Sequence, residues 1–212
     1  MLDDTLAALS EERCAAILRH SCQESSYAAM EAAVRGGFRV IEFTLTTPGA
    51  LELIRDFAAR DHLLVGAGTV LDVASARAAV DAGARFLVSP VFDREIVRMS
   101  HELGAVAMPG VSTPTEMWCA HQAGARVLKI FPAVEKSPEW LRSCLGPLPQ
   151  LRLFPTSGVT LGNARAYLEA GAFGVGFVAP LFDGRAMRER DWTWIETRAN
   201  ALLEIVRQTP RF

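Results

Sequence analysis

The sequence predicts an α/β fold, a single-domain (β/α)8 TIM barrel spanning residues 1–212 with an extra helix at 1–12, and three observations carry that prediction. The phrases Gly36-Gly37-Phe38, Ala82-Gly83-Ala84, Leu103-Gly104-Ala105, Ala123-Gly124-Ala125 and Ala170-Gly171-Ala172 each close an amphipathic helical stretch and precede a short apolar run. Their spacing gives a β/α unit about every 20 to 25 residues, as parallel strands joined by right-handed crossovers require. No G-x-G-x-x-G follows the first strand, which counts against the alternative of an open doubly wound sheet.

Taken in order, the chain begins with a helical stretch at 2–12 that suits a plug for the lower end of the barrel. Strands are expected at 14–19, 39–45, 63–69, 85–90, 105–109, 126–132, 151–157 and 173–178. Helices are expected at 24–36, 48–60, 72–82, 93–103, 114–123, 138–146, 161–170 and 191–207. Asp72 and Asp93 are natural N-caps, and Ser112-Thr113-Pro114 and Ser137-Pro138 place a proline in the first helical turn. The repeated glycines turn the chain out of each helix through the left-handed region. Ser89-Pro90 and Pro109-Gly110 are expected to end the fourth and fifth strands, and Arg185 to Arg190 to form a solvated charged face.

Half of the residues are apolar and the formal net charge is −2, so neither nucleic acid nor an anionic membrane is an expected partner. No apolar run approaches the length of a membrane span, and no signal peptide is visible. Cys14, Cys22, Cys119 and Cys144 lie far apart without C-x-x-C spacing, which reads as reduced thiols in a cytoplasmic protein. The histidines fall singly, so no metal site is suggested. Trp118, Trp140, Trp192 and Trp194 fall on helices, where packing or a subunit contact is expected of them.

Strand phase singles out two charges. In Val127-Leu-Lys-Ile-Phe-Pro132, Leu128 and Ile130 should face the helices, leaving Lys129 to point into the barrel with Val127 and Phe131. In Val40-Ile-Glu-Phe-Thr-Leu45 the same alternation puts Glu42 and Thr44 inside. A buried lysine is either tied structurally to a carboxylate or is a nucleophilic amine whose desolvation leaves a neutral fraction near pH 7. An amine and a carboxylate inside one barrel are also what imine chemistry on a ketone requires, with a water between them to soften their coupling. Arg19, Thr69, Ser89-Pro90 and Pro155-Thr-Ser-Gly158 stand at strand ends on the same predicted face.

Six motifs occur in one order: Ile41-Glu-Phe-Thr-Leu45, Val65-Gly-Ala-Gly-Thr-Val70, Val88-Ser-Pro90, Met108-Pro-Gly110, Leu128-Lys-Ile-Phe-Pro132 and Phe154-Pro-Thr-Ser-Gly-Val159. With them the chain resembles the 2-keto-3-deoxy-6-phosphogluconate / 4-hydroxy-2-oxoglutarate aldolase family, including its 6-phosphogalactonate branch. The resemblance implies a metal-free, cofactor-free class I aldolase on a (β/α)8 barrel, a homotrimer that releases pyruvate from a 2-keto acid. It makes Lys129 the Schiff-base lysine and Glu42 the general acid/base. It further implies that Thr69 contacts the pyruvate carboxylate, that Pro90 and Phe131 wall the pocket, and that Thr156 bears on stereochemistry at C4. Ser157 and Gly158 fall at the substrate's far end.

Two departures from the family pattern bear on substrate. Thr46 stands where the phosphogluconate branch has an arginine, and Ala16-Ile-Leu-Arg19 instead resembles the galactonate branch, where this arginine can serve the substrate carboxylate. The family's Gly-Gly and Gly-Ser phosphate cup is replaced by Ser157-Gly158 and Phe177-Val-Ala-Pro180, and Pro180 removes a backbone donor. An aldolase for a non-phosphorylated acid is therefore an alternative. A keto-acid binder without turnover and a phosphosugar isomerase on a similar barrel are the competing classes.

Overall fold

The computed structural model describes residues 2–211; Met1 and Phe212, the ends of the expected domain, lie outside the described residues. Helix α1 (Leu2–Glu12) precedes strand β1 (Cys14–Leu18), and strand–helix units follow: α2 (Gln23–Arg35), β2 (Val40–Thr44), α3 (Ala50–Ala58), β3 (Leu64–Gly68), α4 (Val73–Asp81), β4 (Phe86–Val88) and α5 (Arg94–Glu102). The second half runs β5 (Val106–Met108), β6 (Gly110–Val111), α6 (Pro114–Gln122), β7 (Leu128–Ile130), α7 (Pro138–Leu145), β8 (Leu153–Pro155), α8 (Ala164–Glu169), β9 (Val175–Phe177), α9 (Gly184–Glu189) and α10 (Trp192–Gln208).

Every strand pair is parallel, in two ladders ordered β5-β4-β3-β2-β1-β9 and β6-β7-β8. The ladders meet at Pro109, between β5 and β6, and at a parallel bridge joining Thr156 to Gly176. β5 thus stops at Pro109 as expected, and the chain resumes at once as β6 on a different partner. Proline lacks an N–H, but its carbonyl still accepts from Lys129 N at 3.0 Å, so the chain changes partner from β4 to β7 there.

Side-chain alternation sorts the interior into two apolar clusters. The outer one holds Ile41, Phe43, Leu128, Ile130 and Phe177 against the helices. The inner one holds Ile17, Val40, Phe86, Val88, Met108, Val127 and Phe154, and Leu6 and Leu9 of α1 join it from the strands' N-terminal end. Both inward assignments made from strand phase hold at Lys129 and Glu42. Asp72, Asp93, Thr113 and Ser137 cap their helices, Thr113 in a full capping box with Glu116. Gly37, Gly83, Gly104, Gly124 and Gly171 all lie at positive φ, one residue beyond a helix cap. The Arg185 to Arg190 segment is solvated at Arg185, Arg188, Glu189 and Arg190, as expected, and most of it lies in helix α9. Asp183 caps it, Arg185 pairs with Glu189, and Arg190 stops it at φ +56°.

Candidate active site

Because all strands run the same way, their C-terminal ends gather on one face, and that face receives Arg19, Thr44, Thr69, Pro90, Phe131, Thr156, Ser157 and Gly158. Lys129 and Glu42 project between them from β7 and β2, 7% and 2% exposed. No ion pair or hydrogen bond joins the two among the described residues, and Glu42 Oε1 is buried without a protein partner. The Lys129 Nζ lies 4.8 Å from the centroid of the Phe131 ring.

Burial pushes the Lys129 ammonium below the usual lysine range; Glu42 opposes that shift and the Arg19 cation adds to it. Burial pushes the Glu42 carboxyl above the usual carboxylate range, against the pull of Lys129 and then of Arg19. The two shifts both favour the neutral forms, which opposes locking the pair as an ion pair.

Arg19 is exposed at the mouth, and its Nη2 donates to Thr69 Oγ1 at 3.0 Å. Thr69 sits at φ +62°, a left-handed backbone that a β-branched residue holds at a cost of about 1–3 kcal/mol. The Thr46 hydroxyl shares a 3.1 Å hydrogen bond with Thr44 Oγ1, which also meets Thr47 Oγ1 at 3.2 Å. His20 N donates to Thr47 Oγ1 at 3.3 Å, completing a hydroxyl cluster beside Arg19 that the sequence reading did not include.

At the far end, Thr156 is buried just after β8, with Ser157 at φ +63° and Gly158 at φ +129° after it. Ala133 N donates to Thr156 O at 3.0 Å, tying the chain after β7 to the chain after β8. Tyr167, buried on α8, holds the same segment through hydrogen bonds to Ala133 O (3.1 Å) and Lys136 O. Sequence reasoning missed this tyrosine; its only signal was a polar-tipped aromatic on the inner face of a short helix. Beyond β9, Leu181 N and Phe182 N both donate to Val178 O, at 3.1 and 2.9 Å, and are spent within the turn.

A cavity of about 480 Å³ lies at the other end of the strands, lined by α1 residues with Arg39, Asp61, His62 and Arg85. The inward charges are not there, and chemistry follows the charges rather than the volume. Among the described residues no group of three or more His, Cys, Asp or Glu side chains is arranged to hold a metal ion. Among the described residues no helix is long and apolar enough to cross a membrane.

Residues 6–198 match the family model described as KDPG and KHG aldolase. A 2-dehydro-3-deoxy-phosphogluconate aldolase of Pseudomonas aeruginosa is 40% identical over 140 residues, which span 65% of this chain and 64% of that protein. A 2-dehydro-3-deoxy-6-phosphogalactonate aldolase of Escherichia coli is 32% identical over 82% of this chain and 87% of its own. Among solved structures, a KDPG aldolase from Legionella pneumophila, with pyruvate captured as a covalent carbinolamine, superposes with a TM-score of 0.85 at 27% identity. That match covers 93% of this chain and 97% of the other.

Proposed function

The chain belongs to the KDPG and KHG aldolase family, and from that membership we propose that it is a class I aldolase, a carbon–carbon lyase working through a Schiff base on Lys129. Its substrate is a 2-keto-3-deoxy sugar acid or a related 4-hydroxy-2-keto acid, and its products are pyruvate and an aldehyde, glyceraldehyde 3-phosphate where the acid carries a 6-phosphate. The observation that carries the reading is the pair of buried, unbridged inward groups, Lys129 and Glu42, displaced toward their neutral forms.

The neutral Lys129 amine attacks the C2 ketone to give a carbinolamine, whose hydroxyl leaves as water with a proton from the Glu42 carboxyl, forming a protonated imine and a carboxylate. The Glu42 carboxylate takes the proton of the C4 hydroxyl, the C3–C4 bond breaks, and its electron pair flows into the protonated imine to leave a neutral enamine while the aldehyde departs. Glu42 then returns a proton to C3, and water hydrolyses the imine to release pyruvate and the free amine. Arg19 and Thr69 bind the substrate carboxylate. Phe131 and Pro90 wall the reacting carbons, and Thr156, Ser157 and Gly158 line the far end.

The reading includes one domain, the two ladders closed at Pro109 and at Thr156–Gly176 into a (β/α)8 barrel with α1 as its extra helix. It also includes a cytoplasmic homotrimer, for which light scattering on the purified protein is the direct check. One observation favours an unphosphorylated substrate: the turn after β9 spends two backbone donors on Val178 O and lacks a third at Pro180. Comparing kcat/KM for phosphorylated and free acids decides this, and a large preference for the phosphorylated acid rejects it.

Incubation with pyruvate and borohydride tests the chemistry. A reduced pyruvate adduct on the peptide containing Lys129 is expected, and its absence under conditions where the protein is folded rejects the aldolase reading.

A further inference from the structure

The environment of Thr69 raises a question that carboxylate binding alone does not answer. Glycine occupies its left-handed backbone without steric cost, yet a threonine stands there. Among the described residues its side chain takes part in one hydrogen bond, from Arg19. These two residues flank Glu42. Arg19 lies two positions beyond Ile17, whose register partner across β1 and β2 is Glu42 itself. Thr69 follows Gly68, against whose Cα the Glu42 carboxylate is packed.

A guanidinium beside a buried carboxylate that lacks a partner ordinarily closes onto it as a charge-assisted pair. Here it does not: Glu42 Oε1 stays unpartnered, while Arg19 Nη2 donates to Thr69 Oγ1, just after β3. We propose that Thr69 is a positioning residue, its hydroxyl holding the Arg19 guanidinium on the β3 side of the mouth and so keeping it from pairing with Glu42. The arrangement leaves Arg19 available to an incoming carboxylate and leaves Glu42 free as a base, so it deepens the aldolase reading on which it rests. The charges acting on Glu42 are Lys129 from β7 and Arg19 from β1. The facing positions of β3, Gly66 and Gly68, bring no titratable group. Nearby His20 has its Nδ1 occupied by Cys22 N, at 3.1 Å.

The test is a titration of the Glu42 carboxyl by difference infrared spectroscopy in the substrate-free protein, the band assigned by its loss in Glu42→Gln. Thr69→Gly removes the hydroxyl while suiting the backbone, so it is expected to fold and to melt at or above the wild-type temperature. Its Glu42 midpoint should fall by about one pH unit as Arg19 closes on the carboxylate. Thr69→Ser should keep the wild-type midpoint. In an Arg19→Met background, Thr69→Gly should cause no further shift. A midpoint unchanged in Thr69→Gly, or one that falls equally with methionine at position 19, would overturn the proposal. So would a Thr69→Gly protein that melts below wild type, because threonine would then be serving the backbone. Failure of the aldolase reading shows separately, as a missing borohydride adduct on Lys129 in the wild-type protein.

Discussion

The Glu42 carboxylate occupies the space that a side chain on Gly68 would need. A Cβ placed on Gly68 would lie 1.9 Å from Glu42 Oε1 and 2.8 Å from its carboxyl carbon. The glycine thus sets where the carboxylate can sit, and alanine must push it out of place. Overpacking of this kind should cost about 1–3 kcal/mol of stability. The displaced carboxylate should cost far more in turnover, with kcat/KM falling by about 100-fold or more while circular dichroism stays native. A Gly68→Ala enzyme with near-native turnover would show that the position of Glu42 is not critical.

The raised pKa of Glu42 predicts how stability responds to pH. The unfolded chain loses this proton near 4.5, the folded protein only at a higher pH. Between the two values the folded state holds more protons, so this group's contribution to stability is full below 4.5 and is lost as pH rises through the folded value. Glu42→Gln carries no such term. Urea midpoints of variant and wild type should therefore converge in acid and separate in the variant's favour toward neutral pH. Turnover by the glutamine variant should be lower by about 100- to 10,000-fold. Parallel stability curves would mean that Glu42 titrates as an ordinary carboxylate.

The strand phase of Lys129 and Glu42 was legible in the sequence because a period of two over five residues leaves one solution when the alternate positions are Ile, Phe and Leu. Helix caps were legible for a similar reason, since Asp72, Asp93, Thr113 and Ser137 act within one turn of themselves. What escaped were relationships across the chain. The partner change at Pro109 depends on where β7 offers Lys129 N, and the hold of Tyr167 on Ala133 spans 34 residues. The left-handed Thr69 was hidden because threonine is among the residues least expected there. Helix α9 was lost among charges whose cap, Asp183, lies before the charged run begins.

Lys129 carries the opposite linkage. The unfolded chain takes up a proton at 10.5 and below, while the folded protein does so only at lower pH. Between those values the unfolded state holds more protons, so stability rises with pH across the window and the penalty is complete below it. Lys129→Met keeps a long apolar stem and removes the charge. Its stability advantage over wild type should be greatest at the acid end of that window and shrink to a packing difference above 10.5. It should also form no borohydride adduct with pyruvate. An advantage that does not vary with pH would mean that the buried ammonium is compensated by something other than deprotonation.

Tyr167→Phe separates the two ends of the site. The hydroxyl lost here serves the Ala133 and Lys136 carbonyls, and its removal from a buried position should cost about 0.5–1.5 kcal/mol. The segment it releases carries Val134, whose backbone packs on Gly158 at the far end of the pocket. Lys129 itself is held independently, by the β7 ladder to β6 and β8. Pyruvate reaches only the Lys129 end, so its rate of borohydride trapping should match wild type. A full-length keto acid must also fit against the released segment, and its KM should rise by about fivefold, the equivalent of roughly 1 kcal/mol. If trapping of pyruvate slows by the same factor, the tyrosine supports the whole barrel face rather than its far end.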